Sequence, residues 1–311
     1  MANSEAVRWA IGLALVSGLL PQARAQQAAQ GFGVERFYPS APGGGWFVMD
    51  DLNIGGGLGG AVAVTSGYEQ NPLVVTNSSG QRTAVVSDEA FVSVGVAVSY
   101  DRYRGYVNIP MPVAVGGTSA VVDGFQVTGP SLNPGQNPDT VGDTTVGFDV
   151  RLFGKPGSAL RIGAGAQLLL PSGSRADFVT DGTYRGMFRV LAAGDAGRFV
   201  WAGQAGVHVR PAGISLVPGG PDGNEFLFGA SAGRRFSMRQ GWDAIVGPEF
   251  FGETAVRDGE TGAEALVTAR IEQTGSGRRW RFKVGAGHAL DHRFGAPEWR
   301  VVAGAELFGQ K

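Results

Sequence analysis

The chain has 311 residues, a formal net charge of −1 and 17% charged residues, so it carries no basic footprint for nucleic acid. It contains no cysteine, which excludes disulfides, thiolate metal sites and cysteine catalysis. Glycine, at 52 residues, runs at more than twice its ordinary share of roughly 7%, without a triplet period and among Val, Phe, Ala and Leu. That mixture predicts a large β-structure with closely approaching backbones rather than a disordered tract.

At the N-terminus, Arg8 precedes the apolar stretch Trp9 to Leu20, and Ala23-Arg24-Ala25 supplies an A-x-A site before Gln26. This is the layout of a secretory signal peptide over residues 1–25. Its apolar run is shorter than the ~20 residues that a spanning helix needs. Residues 26–54 follow, punctuated by Gly and Pro and carrying Phe32, Phe37, Tyr38, Trp46 and Phe47. They are expected to form either a periplasmic arm or a plug.

From residue 55 to residue 308 the sequence alternates apolar with polar or small residues. Val146, Phe148, Val150 and Leu152 share one face, and Gly147, Asp149 and Arg151 the other. Trp280, Phe282 and Val284 likewise alternate with Arg281, Lys283 and Gly285. Period-2 alternation is the mark of a strand with two unlike faces. The predicted strands are 57–68, 89–100, 103–114, 143–153, 159–170, 184–193, 198–209, 225–236, 241–254, 263–273, 279–290 and 297–308, with 309–311 left as a tail. Their lengths suit a tilted strand crossing a bilayer, which takes ~9–11 residues. No later segment is a candidate transmembrane helix.

Short connections, such as Asp101-Arg102 and Gly194 to Gly197, alternate with the longer links 69–88, 115–142, 171–183, 210–224, 255–262 and 291–296. The expected fold is therefore an all-β, single antiparallel transmembrane barrel of about twelve strands, with short periplasmic turns and longer outer loops. An even strand number puts both chain termini on the periplasmic side. Arg facing lipid at the midplane costs roughly 2–4 kcal/mol, so the Arg-bearing faces must line the lumen. The expected lumen-facing charges are Arg104, Asp149, Arg151, Arg161, Arg185, Arg189, Arg235, Glu249, Arg270, Glu272, Arg281, Lys283, Arg300 and Glu306. Counted with Arg198, Arg210, Asp243, Glu253 and Glu264, the bases outnumber the acids, which predicts a positive lumen. Tyr68, Tyr100, Tyr103, Tyr184, Trp201, Trp242, Trp280 and Trp299 fall near strand ends, as in an aromatic girdle. Pro110, Pro112 and Pro248 fall inside predicted strands, where either bulges or shorter strands are expected.

Four stretches resemble a known family: Gly45-Trp46-Phe47-Val48-Met49-Asp50-Asp51-Leu52; Leu170-Pro171-Ser172-Gly173 with Phe178 and Asp181-Gly182-Thr183; Gly247-Pro248-Glu249; and Phe294-Gly295-Ala296-Pro297-Glu298-Trp299-Arg300. They are similar to the N-terminal barrel region of certain large OmpA-family outer-membrane proteins. The resemblance covers nearly the whole mature chain and implies a barrel in the outer membrane of a Gram-negative-type cell. The peptidoglycan-binding domain that usually follows has no counterpart after Phe308-Gly309-Gln310-Lys311, so peptidoglycan anchoring is not implied. Phe308 also resembles the last-strand signal read by the barrel-assembly machinery.

Little points to catalysis. Gly55 to Gly60 satisfies G-x-G-x-x-G, but a strand rather than a helix follows it. His288, Asp291 and His292 form a polar rim cluster rather than a metal site, and no cofactor or enzymatic activity is expected. The functional expectation is a narrow pore or small-solute transporter with a positive lumen, in contact with outer-membrane lipid and lipopolysaccharide. A non-conducting barrel presenting loops 115–142 and 210–224 is the alternative, and a soluble secreted β-domain a further one.

Overall fold

The computed structural model describes residues 27–29, 31–122, 124–132, 141–212, 223–257, 259–292 and 295–310. The expected signal peptide lies outside them, as do parts of the links 115–142, 210–224, 255–262 and 291–296. In chain order the strands are β1 (Gln27–Ala29), β2 (Leu58–Thr76), β3 (Arg82–Tyr100), β4 (Tyr103–Gly116), β5 (Ala120–Val122), β6 (Phe125–Val127), β7 (Ser131–Leu132), β8 (Thr144–Phe153), β9 (Arg161–Leu170), β10 (Arg185–Ala196), β11 (Phe199–Val209), β12 (Glu225–Ser237), β13 (Trp242–Ala255), β14 (Thr261–Gln273), β15 (Arg279–His292) and β16 (Trp299–Gln310). Among the described residues, no helix is long and apolar enough to cross a membrane.

Twelve strands, β2 to β4 and β8 to β16, form one antiparallel sheet, closed into a ring by the β2–β16 and β3–β4 pairs. The apolar faces point outward: Val190 is 62% exposed, Val267 64% and Phe188 57%. Their alternate neighbours are buried, as with Arg189 beside Val190. Across β15 and β16, Arg281 stands opposite Glu306 on the inner face, while Trp280 and Leu307 pair on the outer one. All-or-none alternation of this kind pins the register, because a one-residue slip would put every charge in lipid.

The prolines behave as their missing N–H requires. The β3–β4 register shifts between Ala90 and Phe91, opposite Pro112, and the β4–β8 pairing ends at Asn108, before Pro110. Beside Pro248 the β12–β13 pairing is interrupted between Ser231–Glu249 and Arg234–Val246, with the register unchanged. The backbones also come very close there, since a Cβ on Gly247 would lie 1.9 Å from the carbonyl oxygen of Ala232.

Two expectations are corrected. The link expected at 69–88 is mostly strand, because β2 and β3 each run for 19 residues and leave only 77–81 between them. Glu69-Gln70-Asn71-Pro72 breaks the alternation and so reads as loop, but the hairpin absorbs the break as register shifts around Leu73 and continues. Similarly, β13 and β14 are joined by 256–260 alone. Backbone groups gain from pairing with or without lipid around them, so strands outlast their greasy stretches.

The second correction concerns the N-terminal side. β2 begins and β16 ends at the end of the barrel that carries the short turns (the turn end). Residues 27–29 and 31–34, however, lie at the opposite, loop end. There β1 pairs in parallel with β6 of the link after β4, and the N–H of Val34 donates to the carbonyl oxygen of Phe178. The chain must therefore traverse the whole lumen before it enters β2.

Candidate functional site

Residues 31–57 fill the barrel. A twelve-stranded ring is too wide for its own side chains to close, since eight strands already suffice for that. At the loop end Phe32 and Val34 pack with Val75, Val85, Val115, Phe178 and Val179. Deeper, Phe37, Trp46, Phe47, Met49 and Leu52 pack with Phe91, Leu191, Ile245, Phe251, Leu266 and Val302 from strands around the ring. Glycines on the inner face make room for them: a Cβ on Gly229 would lie 2.3 Å from Met49, and one on Gly233 2.7 Å from Trp46. Much of the glycine excess serves this close approach.

Within the lumen the segment folds back on itself. Ser40 donates its N–H to Phe47 and its hydroxyl to Trp46, and Gly45 bridges Asp50. Glu249 of β13 then receives the backbone N–H groups of Phe47, Val48 and Met49. One wall carboxylate thus satisfies three donors that burial would otherwise leave costly.

The charges expected to line the lumen are organised around this segment. Arg104 joins Asp50 to Asp149, the latter at 2.7 Å, and Arg189 reaches Asp149 at 3.2 Å. Arg270 holds Asp51 at 2.7 Å and lies 3.7 Å from Glu272. Arg161 donates to the carbonyl oxygen of Asp51 and half-buried Arg151 to that of Ile54, both at 2.7 Å. Lys283 donates to the carbonyl oxygen of Trp46 at 3.0 Å and pairs with Glu306 at 2.8 Å. Arg281 ties Glu306 to Glu272, with both contacts at 2.7 Å. Arg300 gathers Glu35, Glu69 and Glu264 within 2.9 Å. Arg185 pairs with Asp143 at 2.8 Å, and Arg235, part-exposed at the turn end, pairs with Asp195 at 2.6 Å.

The charge balance differs from the expected one. Among the described residues, buried carboxylates outnumber buried Arg and Lys. Glu69, Glu89 and Glu225 at the loop end add to Asp50 and Asp51 of the inner segment. Glu69 falls in the expected link, Asp50 and Asp51 in the expected arm or plug, and Glu89 and Glu225 on the first residues of expected strands, where alternation has least to mark a face. Arg198, counted with the lumen, is exposed. His288 is exposed on the outer side of β15. His208, by contrast, is fully buried beside Glu225 and Glu253.

At the loop end, burial works against the charge on Asp181. The guanidinium groups of Arg185, Arg210 and Arg36 and the N–H of Gly33 outweigh it and hold the carboxyl at about 2. This anchor fixes the start of the inner segment.

Two spaces flank the segment. A cavity of about 70 Å³ lies toward the loop end, with Glu35, Phe37, Tyr38, Glu89, Asn108 and Arg185 in its wall. A vestibule of about 680 Å³ opens at the turn end, lined by Pro42, Asn53, Asp195, Arg235, Asp243 and Arg279 among others. Both are walled in part by residues of the inner segment, which runs from one to the other.

The family-like stretches all meet here. Gly45 to Leu52 lies in the lumen and Glu249 clamps it, Phe178 and Asp181 hold Val34 and Gly33, and Arg300 holds Glu35. No family profile matches the chain, and no curated protein matches it. Among solved structures, it is similar to an outer membrane channel from Pseudomonas putida F1, with a TM-score of 0.50 and 13% identity over 83% of this chain and 98% of that one. It also matches the β domain of the Bordetella autotransporter BrkA, with a TM-score of 0.43 and 13% identity over 80% of this chain and 98% of that one. The chain has the fold of an outer-membrane β-barrel. At these identities the likeness carries the fold and no activity.

Proposed function

We propose that this protein is an outer-membrane barrel with a gated path for small solutes, shut at rest by its own segment 31–57. The observation that carries the reading is that the segment crosses the lumen between the cavity and the vestibule and contributes to the walls of both. Moving one stretch of chain would join the two spaces without disturbing a strand. The reading assigns transport rather than catalysis. With the segment displaced, the buried charges left on the wall would be close to balanced.

The reading also places the protein with the OmpA-family barrels. Its greasy belt meets lipid and lipopolysaccharide, its last strand serves assembly, and residues 1–25 direct export. Phe308 lies on the inner face under Arg281, 4.3 Å from ring centre to guanidinium. A second reading, a permanently closed barrel displaying its loop end, draws on the apolar cluster that ties Phe32 and Val34 to the outer links.

Planar-bilayer conductance separates the two. The intact chain is expected to be silent, and the double variant Asp50→Asn, Asp51→Asn to show discrete openings. Silence from a folded double variant would leave the permanently closed barrel as the better reading.

A further inference from the structure

At the loop end of the lumen, three adjacent strands turn ligand-type side chains toward one point. His208 of β11 stands directly opposite Glu225 of β12, and Glu253 of β13 stands opposite Leu227, two residues along β12. All three are buried. The Nδ1 atom of His208 lies 3.1 Å from Glu253 Oε1 and 3.2 Å from Glu225 Oε2. A ring nitrogen carries at most one proton and can serve only one of these oxygens. It bonds Glu253 Oε1, and Glu225 Oε2 is left buried without a hydrogen-bond partner.

The other oxygen of each carboxylate faces a guanidinium. Glu225 Oε1 takes Arg210 Nη1 at 2.7 Å and Arg36 Nη2 at 3.4 Å, while Glu253 Oε2 lies 3.1 Å from Arg36 Nε as an ion pair without a hydrogen bond. The guanidinium groups therefore orient the carboxylates from behind and leave one oxygen of each aimed at the imidazole. That is the role outer-shell partners play around a metal. Charge points the same way. With a neutral imidazole, Asp143, Asp181, Glu225 and Glu253 exceed Arg36, Arg185 and Arg210 by one negative charge.

We propose that His208 Nδ1, Glu225 Oε2 and Glu253 Oε1 form a three-ligand site for a divalent transition cation, of which Zn²⁺ fits best. Tetrahedral bonds of ~2.0–2.1 Å place neighbouring ligand atoms ~3.3 Å apart, and both measured contacts are close to that edge. A cavity of about 20 Å³ lies on the Glu253 side of the cluster, lined also by Arg36 and Tyr38, and has room for one water. The cation would lock three strands to Arg36 and so to the start of the inner segment. The site stands whether or not that segment moves.

The test uses the full chain, purified in detergent and stripped with a chelator. Titration with Co²⁺ is expected to give one equivalent per chain with the intense visible bands of a tetrahedral ion, and Zn²⁺ should displace it. His208→Gln and Glu253→Gln should each weaken binding at least tenfold while the barrel stays folded. If either variant fails to fold, the other decides, and the Co²⁺ spectrum of the parent chain decides alone if both do. Absence of stoichiometric binding, weak octahedral-type bands, or binding unchanged in the variants would overturn the proposal.

Discussion

Glu249 accepts the backbone N–H of Met49 at 2.9 Å across 200 positions of sequence. Phe47 and Val48 donate to the same carboxylate, and Thr268 adds its hydroxyl at 3.2 Å. A side chain of the barrel wall thus performs for the inner segment what a neighbouring strand would otherwise do. Glu249→Ala should cost about 3 kcal/mol, since buried donors left unpaired are penalised at ~1–3 kcal/mol apiece and water recovers part of that. Glu249→Gln keeps one acceptor and should cost about half as much. Urea midpoints read from the heat-dependent gel shift check both.

Asp51 and Arg270 make a second link, at 2.7 Å and almost fully buried. Removing one charge strands the other, so Arg270→Met and Asp51→Leu should each lose about 3–5 kcal/mol. The double variant should recover most of the loss, because it buries no unpaired charge. A double-mutant cycle giving strictly additive effects would show that the pair is not what holds the segment.

The Asp181 carboxyl yields a pH dependence of definite sign. Its value in the folded chain is depressed to about 2, so its contribution is fully present above the ordinary carboxylate range and is lost as pH falls through about 2. The amount is about 2 kcal/mol. Protease cleavage near Gly33 should therefore rise between pH 4 and pH 2 more steeply in the parent than in Asp181→Asn, with an acid-stable protease as probe.

The path of the inner segment is testable in a chain without native cysteine. On intact cells, a membrane-impermeant maleimide should label Ser131→Cys at the loop end and spare Ser276→Cys in a short turn. An epitope inserted just before Gln27 should be accessible from the same side as Ser131→Cys, because β1 pairs with β6 there. Accessibility only after permeabilisation would refute the threading.

The sequence by itself determined the barrel. Period-2 alternation at Val146 to Leu152 or Trp280 to Gly285 needs no partner to be read, because successive side chains on any strand face opposite ways. The cost of Arg in lipid then chose the inner face, and Pro110 and Pro248 marked where the ladders break. What fills the lumen was decided only by the tertiary structure. The stretch from Phe32 to Ile54 has no periodicity, so it reads equally as an arm or a plug. Its contacts, from Asp50 with Arg104 to Met49 with Glu249, join positions 54 to 200 residues apart. Glu69 and Glu225 fell in or beside apparent loops, and only ring closure turned them inward to Arg300, Arg36 and Arg210. Local pattern fixes which face a side chain takes; which partner it meets across a closed lumen depends on how the whole ring comes together.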